Sequence, residues 1–206
     1  MLTVSDVEAR VRVALAGPLP GPTAQMTMVP RPRVGEPPAR APGSRRAAAL
    51  ILVYPQPVEA HLLLTVRAVT LPQHAGQVSL PGGALDAGET AEDAALREAQ
   101  EEVGVDPSRV RILGALSTVH IPISRFSVRP IVAVTSAPLE LRPDTREVAR
   151  LLEIPITELM DPTRVRLTHW PIRDCDHDIP YFDLQGEVVW GATAMMLAEF
   201  VQVMNT

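Results

Sequence analysis

The sequence predicts an α/β fold in which helices cover both faces of a mixed β-sheet. Apolar runs bounded by turn residues predict strands, and they stand on both sides of a segment, 95–103, whose apolar residues recur at helical spacing. A second helical pattern closes the chain at 192–203. Strands before and after a helix, with another helix at the end, fit an α/β/α sandwich.

Four apolar runs predict the strands, and they cover 48–54, 61–67, 111–119 and 126–134. Two shorter segments, 147–152 and 156–159, suggest helical turns. In the closing helix, Met195 and Phe200 are expected to pack in the core rather than to contact a ligand.

The N-terminal part of the chain is expected to differ from the rest. Residues 4–16 predict an amphipathic helix, and residues 17–43 contain eight prolines, which argues against regular helix there. We expect that stretch to be extended or mobile and to separate the first helix from the main body. The predicted division is an N-terminal helix and Pro-rich extension, 1–46, followed by one domain, 47–206.

The composition suits a single globular domain of ordinary size. The 206 residues are 46% hydrophobic and 21% charged, which allows a core of useful size. A formal net charge of −5 argues against general binding to nucleic acid backbones. The longest strongly apolar run, Ala47 to Tyr54, is too short to cross a bilayer, so no membrane contact is expected.

The N-terminus and the cysteine content indicate a cytoplasmic protein. Asp6 and Glu8 interrupt the apolar residues at the N-terminus, which therefore lacks the pattern of a secretory signal. A single cysteine, Cys175, excludes an internal disulfide. The aspartates beside that thiol would raise its pKa, so we expect no nucleophile there. A polar loop is favoured over a metal site at His177.

Three glutamates are the most informative feature of the chain. Residues three and four apart share one face of a helix, so Glu98, Glu101 and Glu102 converge on one small volume. Carboxylates held so close repel one another. Hard divalent cations such as Mg²⁺ or Mn²⁺ relieve that repulsion and prefer oxygen ligands, with a phosphate substrate completing the shell. The cluster therefore predicts a metal and phosphate site.

Residues at both ends of this helix support the prediction. Pro81, Gly82 and Gly83 let the backbone turn tightly and approach a ligand closely. Thr90 is the expected N-cap, with Asp93 three residues further on. Gly104 suits a helix-ending position that needs positive φ.

The segment from Gly83 to Val105, GALDAGETAEDAALREAQEEVGV, resembles the signature of the Nudix hydrolases. It satisfies the pattern G-x5-E-x7-R-E-U-x-E-E-x-G-U, where U is aliphatic, at Gly83, Glu89, Arg97, Glu98, Ala99, Glu101, Glu102, Gly104 and Val105. The resemblance implies cleavage of a nucleoside diphosphate linked to another moiety, carried out by an α/β/α sandwich. It also implies a metal contact from a glycine carbonyl near Gly82, besides the three glutamates.

A second motif, just upstream, bears on the substrate. LLTVRA at 63–68 and HAGQVSLPGG at 74–83 resemble L-L-T-x-R-[SA]-x3-R-x3-G-x3-[FP]-P-G-G, which runs into the Nudix signature in coenzyme A diphosphatases. The second arginine of that motif falls on Pro72 and its aromatic position on Leu80, so the substrate is less secure than the reaction. Arg125 or Arg129 could replace the missing cation. The residues assigned to substrate binding are Arg67, His74, Gly76, Gln77, Gly82 and Gly83.

Similarity to the same enzymes continues downstream. Residues 179–182, IPYF, and 189–194, VWGATA, resemble their P-Y-F and V-W-G-x-T-A elements, so the resemblance covers about 47–200. For Tyr181 and Trp190, ordinary packing is favoured over a ligand contact.

The resemblance also implies roles in catalysis. Glu98 and Glu102 are the first expected metal ligands, and Arg97 would fix the orientation of one glutamate by a charge-assisted hydrogen bond. The general base stays open between Glu101, inside the signature, and Glu147, on a later loop.

The joined motifs predict a metal-dependent pyrophosphatase that releases 3′,5′-ADP and 4′-phosphopantetheine from coenzyme A. Hydrolysis of ADP-ribose, NADH or another dinucleotide is the alternative, favoured by the arginine missing at Pro72. A catalytically silent nucleotide or acyl-CoA sensor is a third hypothesis, against which the intact acidic triad argues. Homodimerisation is common among similar proteins, which makes a homodimer a prior expectation.

Overall fold

A computed structural model describes residues 1–31, 42–57, 59–172 and 175–206, except the side chains of residues 172 and 175. The expectation about the thiol of Cys175 therefore lies outside the described residues. The described strands are β1 (Arg45–Pro55), β2 (Ala60–Arg67), β3 (Val78–Ser79), β4 (Gly82–Ala84), β5 (Arg111–Ala115), β6 (Val119–Ile121), β7 (Phe126–Val134), β8 (Val148–Pro155), β9 (Val165–Ile172), β10 (Cys175–Leu184) and β11 (Glu187–Val189). The described helices are α1 (Val4–Leu15), α2 (Pro22–Gln25), α3 (Ala91–Val103), α4 (Ile156–Leu159) and α5 (Gly191–Met204).

The central sheet is mixed, as the sequence predicts. Its main path runs β3-β2-β1-β7-β5, with β4 paired to β1, β6 to β7 and β8 to β2. β1 and β7 are parallel from Arg45 opposite Phe126 to Val53 opposite Val134, and the other pairs are antiparallel. A separate three-stranded sheet, β11-β10-β9, was not predicted from the sequence.

Helices pack on both faces of the central sheet, which confirms the α/β/α sandwich. Successive residues of a strand point to opposite faces. Leu50 and Leu52 of β1 therefore face α3, whereas Ile51 and Val53 lie in the cluster that holds α1 and α5. Among the helices of the described residues, none combines the length and the hydropathy that a membrane span needs.

The predicted ends of α3 are confirmed. The hydroxyl of Thr90 accepts a hydrogen bond from the backbone N–H of Asp93 at 3.1 Å and donates one to its carboxylate at 2.6 Å. At the other end, Gly104 adopts a φ of 72°, in the left-handed region. These two caps fix where the acidic residues of α3 lie relative to the sheet.

The prediction of a helical turn at 147–152 was wrong, because that segment begins β8. It pairs antiparallel with β2, with Leu64 opposite Leu152 and Leu62 opposite Ile154. Leu152 and Ile154 are buried. This segment is too short for the periodicity of its apolar residues to distinguish a helix from a strand. Its pairing with the distant strand β2 therefore determines its conformation. The turn predicted at 156–159 is confirmed as α4.

The predicted strand 111–119 divides into β5 and β6. Ala115 lies opposite Ile131, and Val119 lies opposite Val128. Between these two pairs, the segment that joins β5 to β6 has three residues, whereas β7 has two. The ladder therefore cannot continue in register.

The described part of the N-terminal segment, residues 1–31, is more ordered and better packed than expected, and the expectation for residues 32–41 lies outside the described residues. α2 and a 3-10 turn, Met26–Met28, occupy part of the proline-rich stretch, with Pro22 at a helix start where its missing N–H costs nothing. Val7, Val11 and Met28 are buried in the same cluster as α5. The first helix is therefore not separated from the main body. The domain boundary at residue 46 stays a prediction.

Candidate active site

The acidic residues of α3 lie over the strand β4 and differ in depth. Glu102 is only 5% exposed, and the Glu98 side chain is 18% exposed. The Glu101 side chain, one residue before Glu102, is 58% exposed. The helix thus turns two carboxylates inward and one toward solvent.

Two glycines of β4 make this close approach possible. A Cβ on Gly83 would lie 2.7 Å from Oε2 of Glu98, and a Cβ on Gly82 would lie 2.7 Å from the Cα of Ala49. The N–H of Gly82 also donates to the carboxylate of Glu102. A side chain at Gly82 would meet the backbone of β1, and one at Gly83 would displace the carboxylate of Glu98.

Arg97 organises the outer edge of the acidic cluster. Its Nη1 donates to Glu98 Oε1 at 2.9 Å and to Glu101 Oε2 at 3.3 Å, and its Nη2 donates to the carbonyl of Ala84 at 3.2 Å. Its Nε and Nη2 also donate to the two oxygens of Glu89, at 2.9 Å and 3.1 Å. One guanidinium therefore joins α3, β4 and the turn before α3.

Glu89 is a residue whose role the sequence argument did not assign. Eight positions separate it from Arg97, so helical spacing could not relate the two side chains. Its fixed place in the signature was the available signal. The two charge-assisted hydrogen bonds from Arg97, followed by a backbone hydrogen bond from Asp86, hold the pKa of Glu89 below its usual range.

Burial and mutual repulsion disfavour the ionised forms of the inward carboxylates. Burial, followed by the charge of Glu98, raises the pKa of Glu102 to about 8, while Arg67 and the N–H of Gly82 oppose the rise. Burial also raises the pKa of Glu98, although Arg97 opposes it. Glu147 adds a further negative charge to both. The site therefore favours an added cation.

Glu147 and Arg67 stand together beside the inward acids. Glu147 is exposed in the turn just before β8, and its carbonyl accepts a hydrogen bond from the N–H of Ala68 at 2.7 Å. Arg67 ends β2, and its Nε is a buried nitrogen without a hydrogen-bond partner among the described residues. An unpaired guanidinium N–H next to carboxylates is suited to bind an anionic ligand.

The loop between β2 and β3 folds back on Arg67. The carbonyl of Arg67 accepts from the N–H of Gly76 at 3.1 Å, and its own N–H donates to the carbonyl of Gln77 at 3.0 Å. His74 Nδ1 lies 2.8 Å from Gln77 Oε1 on the exposed side of the loop. The loop thus brings Arg67 to the acids, but its His74 and Gln77 side chains contact each other instead.

The cation ligands predicted from the sequence do not all face one point. Across the described ranges, no three Asp, Glu, His or Cys side chains already converge as a metal site. Arg97 engages oxygens of Glu98 and Glu101 instead. The carboxylates of Glu98, Glu102 and Glu147 nevertheless fit a divalent cation, which would stabilise their ionised forms and would find there the oxygen ligands that Mg²⁺ and Mn²⁺ prefer.

The downstream aromatic residues lie in or beside the second sheet. The ring of Trp190, just before α5, meets that of Trp170 edge to face at a centroid distance of 5.3 Å. Tyr181 is half-buried in β10. The Trp190 contact is the packing role that the sequence favoured.

Comparisons with known proteins agree with this geometry. The model of the NUDIX domain matches residues 44–173. An uncharacterized Nudix hydrolase, NudL of Pectobacterium atrosepticum, is 38% identical over 156 residues, which are 74% of this chain and 79% of that protein. NudL of Cronobacter sakazakii, also uncharacterized, is 39% identical over 156 residues, 75% of this chain and 80% of that protein.

The crystal structure of DR0079 from Deinococcus radiodurans has the same fold. It aligns with a TM-score of 0.50 at 20% identity and covers 80% of this chain and 90% of its own. The matched domain model and the two relatives, rather than this structure, carry the assignment. The chain therefore belongs to the Nudix hydrolases, a family of enzymes that act on pyrophosphate bonds of small molecules and generally use divalent metal cations.

Proposed function

We propose that this Nudix hydrolase cleaves the pyrophosphate of coenzyme A into 3′,5′-ADP and 4′-phosphopantetheine. The observation that carries the proposal is the position of Arg67, which belongs to the motif resembling coenzyme A diphosphatases. Its buried, unpaired Nε lies beside the acidic cluster of α3. An anion-binding nitrogen next to a cation-binding cluster suits a diphosphate substrate.

In this proposal, Glu98, Glu102 and the carbonyl of Gly82 hold Mg²⁺ or Mn²⁺, with Glu101 as a further ligand. A bound divalent cation offsets charge on the phosphate oxygens and makes water more acidic. Arg97 keeps Glu98 oriented, because its guanidinium is itself held by Glu89. Arg67 binds a phosphate oxygen of the substrate and thereby positions the diphosphate.

The chemical step is displacement at phosphorus by water. Water forms a new P–O bond, the bridging P–O bond breaks, and the leaving phosphate carries away the bonding electrons. A carboxylate takes the proton that the water releases. We propose Glu147 for this role, since its side chain has no hydrogen-bond or ion-pair partner among the described residues and acts electrostatically on both inner acids.

Glu101 is the alternative base. Its carboxylate is already engaged by Arg97 at 3.3 Å, whereas that of Glu147 has no such partner among the described residues. Replacing each residue by glutamine separates the two. On our proposal, Glu147→Gln lowers kcat by about 10²-fold or more, the scale of general base catalysis, whereas Glu101→Gln acts mainly on metal activation.

Product analysis tests the proposed substrate. Purified protein is incubated with coenzyme A and either Mg²⁺ or Mn²⁺, and the products are separated. We expect 3′,5′-ADP and 4′-phosphopantetheine with wild type and neither with Glu102→Gln at equal protein concentration. Absence of 3′,5′-ADP with both metals contradicts the proposal.

A second candidate function is hydrolysis of ADP-ribose or NADH. It is supported by Pro72, which stands exposed in the β2–β3 loop where the coenzyme A motif has an arginine. Values of kcat/KM for coenzyme A, ADP-ribose and NADH, measured side by side, decide between the two. A higher value for either dinucleotide than for coenzyme A favours this second function.

A further inference from the structure

A cavity of about 530 Å³ opens at the N-terminal end of α3, on the same face of the sheet as the acidic cluster. Its lining includes Arg46 of β1, Arg129 of β7, His120 of β6 and Leu85. The volume lies within the range of small-ligand sites. The mechanism proposed above uses none of these four residues, although Glu89, which holds Arg97, also lines the cavity.

The two arginines are available for a ligand. Neither Arg46 nor Arg129 forms a side-chain hydrogen bond or ion pair with any described residue, and both are exposed. Arg46 pairs with Ser127 and Arg129 with Ala48 in the parallel ladder of β1 and β7. Paired positions of neighbouring strands share a face, so both arginines project to the α3 side.

The acids of the lining do not cancel this charge. Glu89 is bound by Arg97 through both carboxylate oxygens, so part of its charge is offset without Arg46 or Arg129. Glu92 is the remaining acid in the lining and has no such partner among the described residues. Two guanidinium groups without a partner in the described residues therefore face Glu92 and the partly compensated Glu89, which leaves positive charge in the cavity for an anion although the whole chain carries a net charge of −5.

Polar groups beside the arginines add directional contacts. His120 Nδ1 lies 2.9 Å from the hydroxyl of Ser127, and both residues line the cavity. Thr118 lines the same cavity, as does Thr90, whose hydroxyl is engaged in the cap of α3. Cations, hydroxyls and an imidazole around an open cavity are the groups that hold a phosphate and the sugar next to it.

The cavity lies near the acidic cluster along β4 and α3. Gly83 lies against Glu98, and Leu85, two residues further along, lines the cavity and donates its N–H to the carbonyl of Arg46 at 3.0 Å. Along α3, Ala91 at the cavity and Glu98 at the acids are separated by about 10 Å at the helical rise per residue. That separation is on the scale of one nucleoside.

We propose that this cavity binds a phosphate monoester on the nucleoside part of the substrate, outside the bond that is cleaved, through Arg46 and Arg129. The inference rests on the proposed function, because it takes the diphosphate to lie at the acidic cluster. The motif has a cation where this chain has Pro72. In this proposal, Arg46 on β1 and Arg129 on β7 supply the positive charge instead. It also makes these two arginines the determinants that distinguish a nucleoside 3′-phosphate from an unmodified nucleoside.

Calorimetric binding of two nucleotides tests the proposal. 3′,5′-ADP and 5′-AMP differ only in the 3′-phosphate, and both are titrated into the intact protein in the presence of Mg²⁺. We expect wild type to bind 3′,5′-ADP at least about tenfold more tightly, the scale of one charge-assisted contact. Arg46→Ala/Arg129→Ala should remove that preference while leaving the affinity for 5′-AMP within about twofold.

The control is Arg12→Ala, which removes the same charge on α1, at the other face of the sheet, and should keep the preference. If the double variant does not fold, the two single variants, Arg46→Ala and Arg129→Ala, are titrated with the same two nucleotides, and each should lower the preference for 3′,5′-ADP. Equal affinities of wild type for the two nucleotides, or a preference that survives in the arginine variants, overturn the proposal.

The binding experiment can fail independently of the proposed hydrolysis of coenzyme A. A protein that prefers 3′,5′-ADP through these arginines but leaves coenzyme A intact retains the cavity as a binding site and rejects the proposed activity. A protein that cleaves coenzyme A without that preference rejects the cavity and retains the activity.

Discussion

Arg97 and Glu89 form a two-point ion pair, with Nε to Oε1 at 2.9 Å and Nη2 to Oε2 at 3.1 Å. The same guanidinium binds Glu98 at 2.9 Å, so the turn before α3 is coupled to an inward carboxylate of the helix. A bidentate pair fixes the plane of the guanidinium as well as its position. Glu89 is thus the residue that holds Arg97 in place.

Replacing Glu89 by glutamine should weaken metal activation without unfolding the chain. Arg97 loses its charged partner, and Glu98 then loses a fixed orientation. We expect the metal concentration for half-maximal activity to rise by about 10- to 100-fold, as for other groups that orient metal ligands. A metal titration of the hydrolysis rate measures the change.

Asp86→Asn is the matched control for that prediction. Asp86 lies 4.0 Å from the same Nε of Arg97, but its side chain is 80% exposed. Its replacement should leave the metal titration nearly unchanged. Equal titration curves for the Glu89→Gln and Asp86→Asn variants would show that the bidentate pair has no positioning role.

Adding one methyl group at Gly83 should displace the acidic cluster. A Cβ at this position would overlap the carboxylate of Glu98. We expect Gly83→Ala to lower kcat by at least about tenfold, since small displacements of catalytic groups are costly. Gly17→Ala, where the new Cβ meets only the carbonyl of Ala14 at 3.8 Å, should have wild-type activity. A fully active Gly83→Ala variant would contradict a catalytic need for the Glu98 carboxylate to lie against Gly83.

The ion pairs of Glu8 should make stability depend on pH under acidic conditions. Hydrogen bonds from Arg111 and then Arg12 lower the pKa of Glu8 from 4.5 to about 2. Because the folded pKa lies below the unfolded one, this stabilisation is present above pH 4.5 and is lost as the pH falls toward 2. The pair is at the surface, so we expect less than about 1 kcal/mol.

Urea denaturation of wild type and Glu8→Gln at several pH values checks this sign. The difference in the free energy of unfolding should be largest at neutral pH and should shrink between pH 4.5 and pH 2. A difference that grows as the pH falls would be inconsistent with the pairing of Glu8 with Arg111.

Glu199, fully buried in α5, should be required for stability. Its carboxylate accepts hydrogen bonds from the N–H groups of Gly21 and Ser117, at 3.2 Å and 3.1 Å, and from the amide of Gln25 at 2.7 Å. Glu199→Ala removes the partner of all three donors, although the Gln25 amide keeps its hydrogen bond to the carbonyl of Ser117, and each buried donor left unpaired costs about 1–3 kcal/mol. We expect the variant to lose at least about 3 kcal/mol of unfolding free energy.

The control for Glu199 is Glu140→Ala. The Glu140 side chain is 87% exposed, so its removal should change the unfolding free energy by less than about 0.5 kcal/mol. Chemical denaturation measures both variants. Similar stabilities for the two variants would mean that Glu199 does not anchor the N-terminal segment.

Sequence patterns predicted the helices and strands whose conformation is set by residues close together in the chain. Helical spacing placed Glu98 and Glu102 on one face, and the caps at Thr90 and Gly104 are set by residues within one helical turn. The long runs that became β1 and β7 were recognised because their apolar character persists over many residues.

Contacts between distant segments determine what the sequence did not reveal. β8 takes its conformation from β2, and the short run starting at Val148 carries no clear period of its own. The sheet of β9, β10 and β11 consists of strands with polar and charged residues, so hydrophobic patterning did not mark it. Arg46 and Arg129 line the same cavity because β1 and β7 are parallel neighbours. Spacing along the chain does not encode that relationship.

The most direct test of the central claim is Mn²⁺ binding, measured by calorimetry on wild type and on Glu98→Gln/Glu102→Gln. The acidic cluster of α3, in this account, exists to hold a divalent cation beside the substrate diphosphate. We expect wild type to bind Mn²⁺ and the double variant to bind it at least about 100-fold more weakly. Thermal denaturation verifies that the double variant is folded. Unchanged Mn²⁺ affinity in the folded double variant would contradict the account.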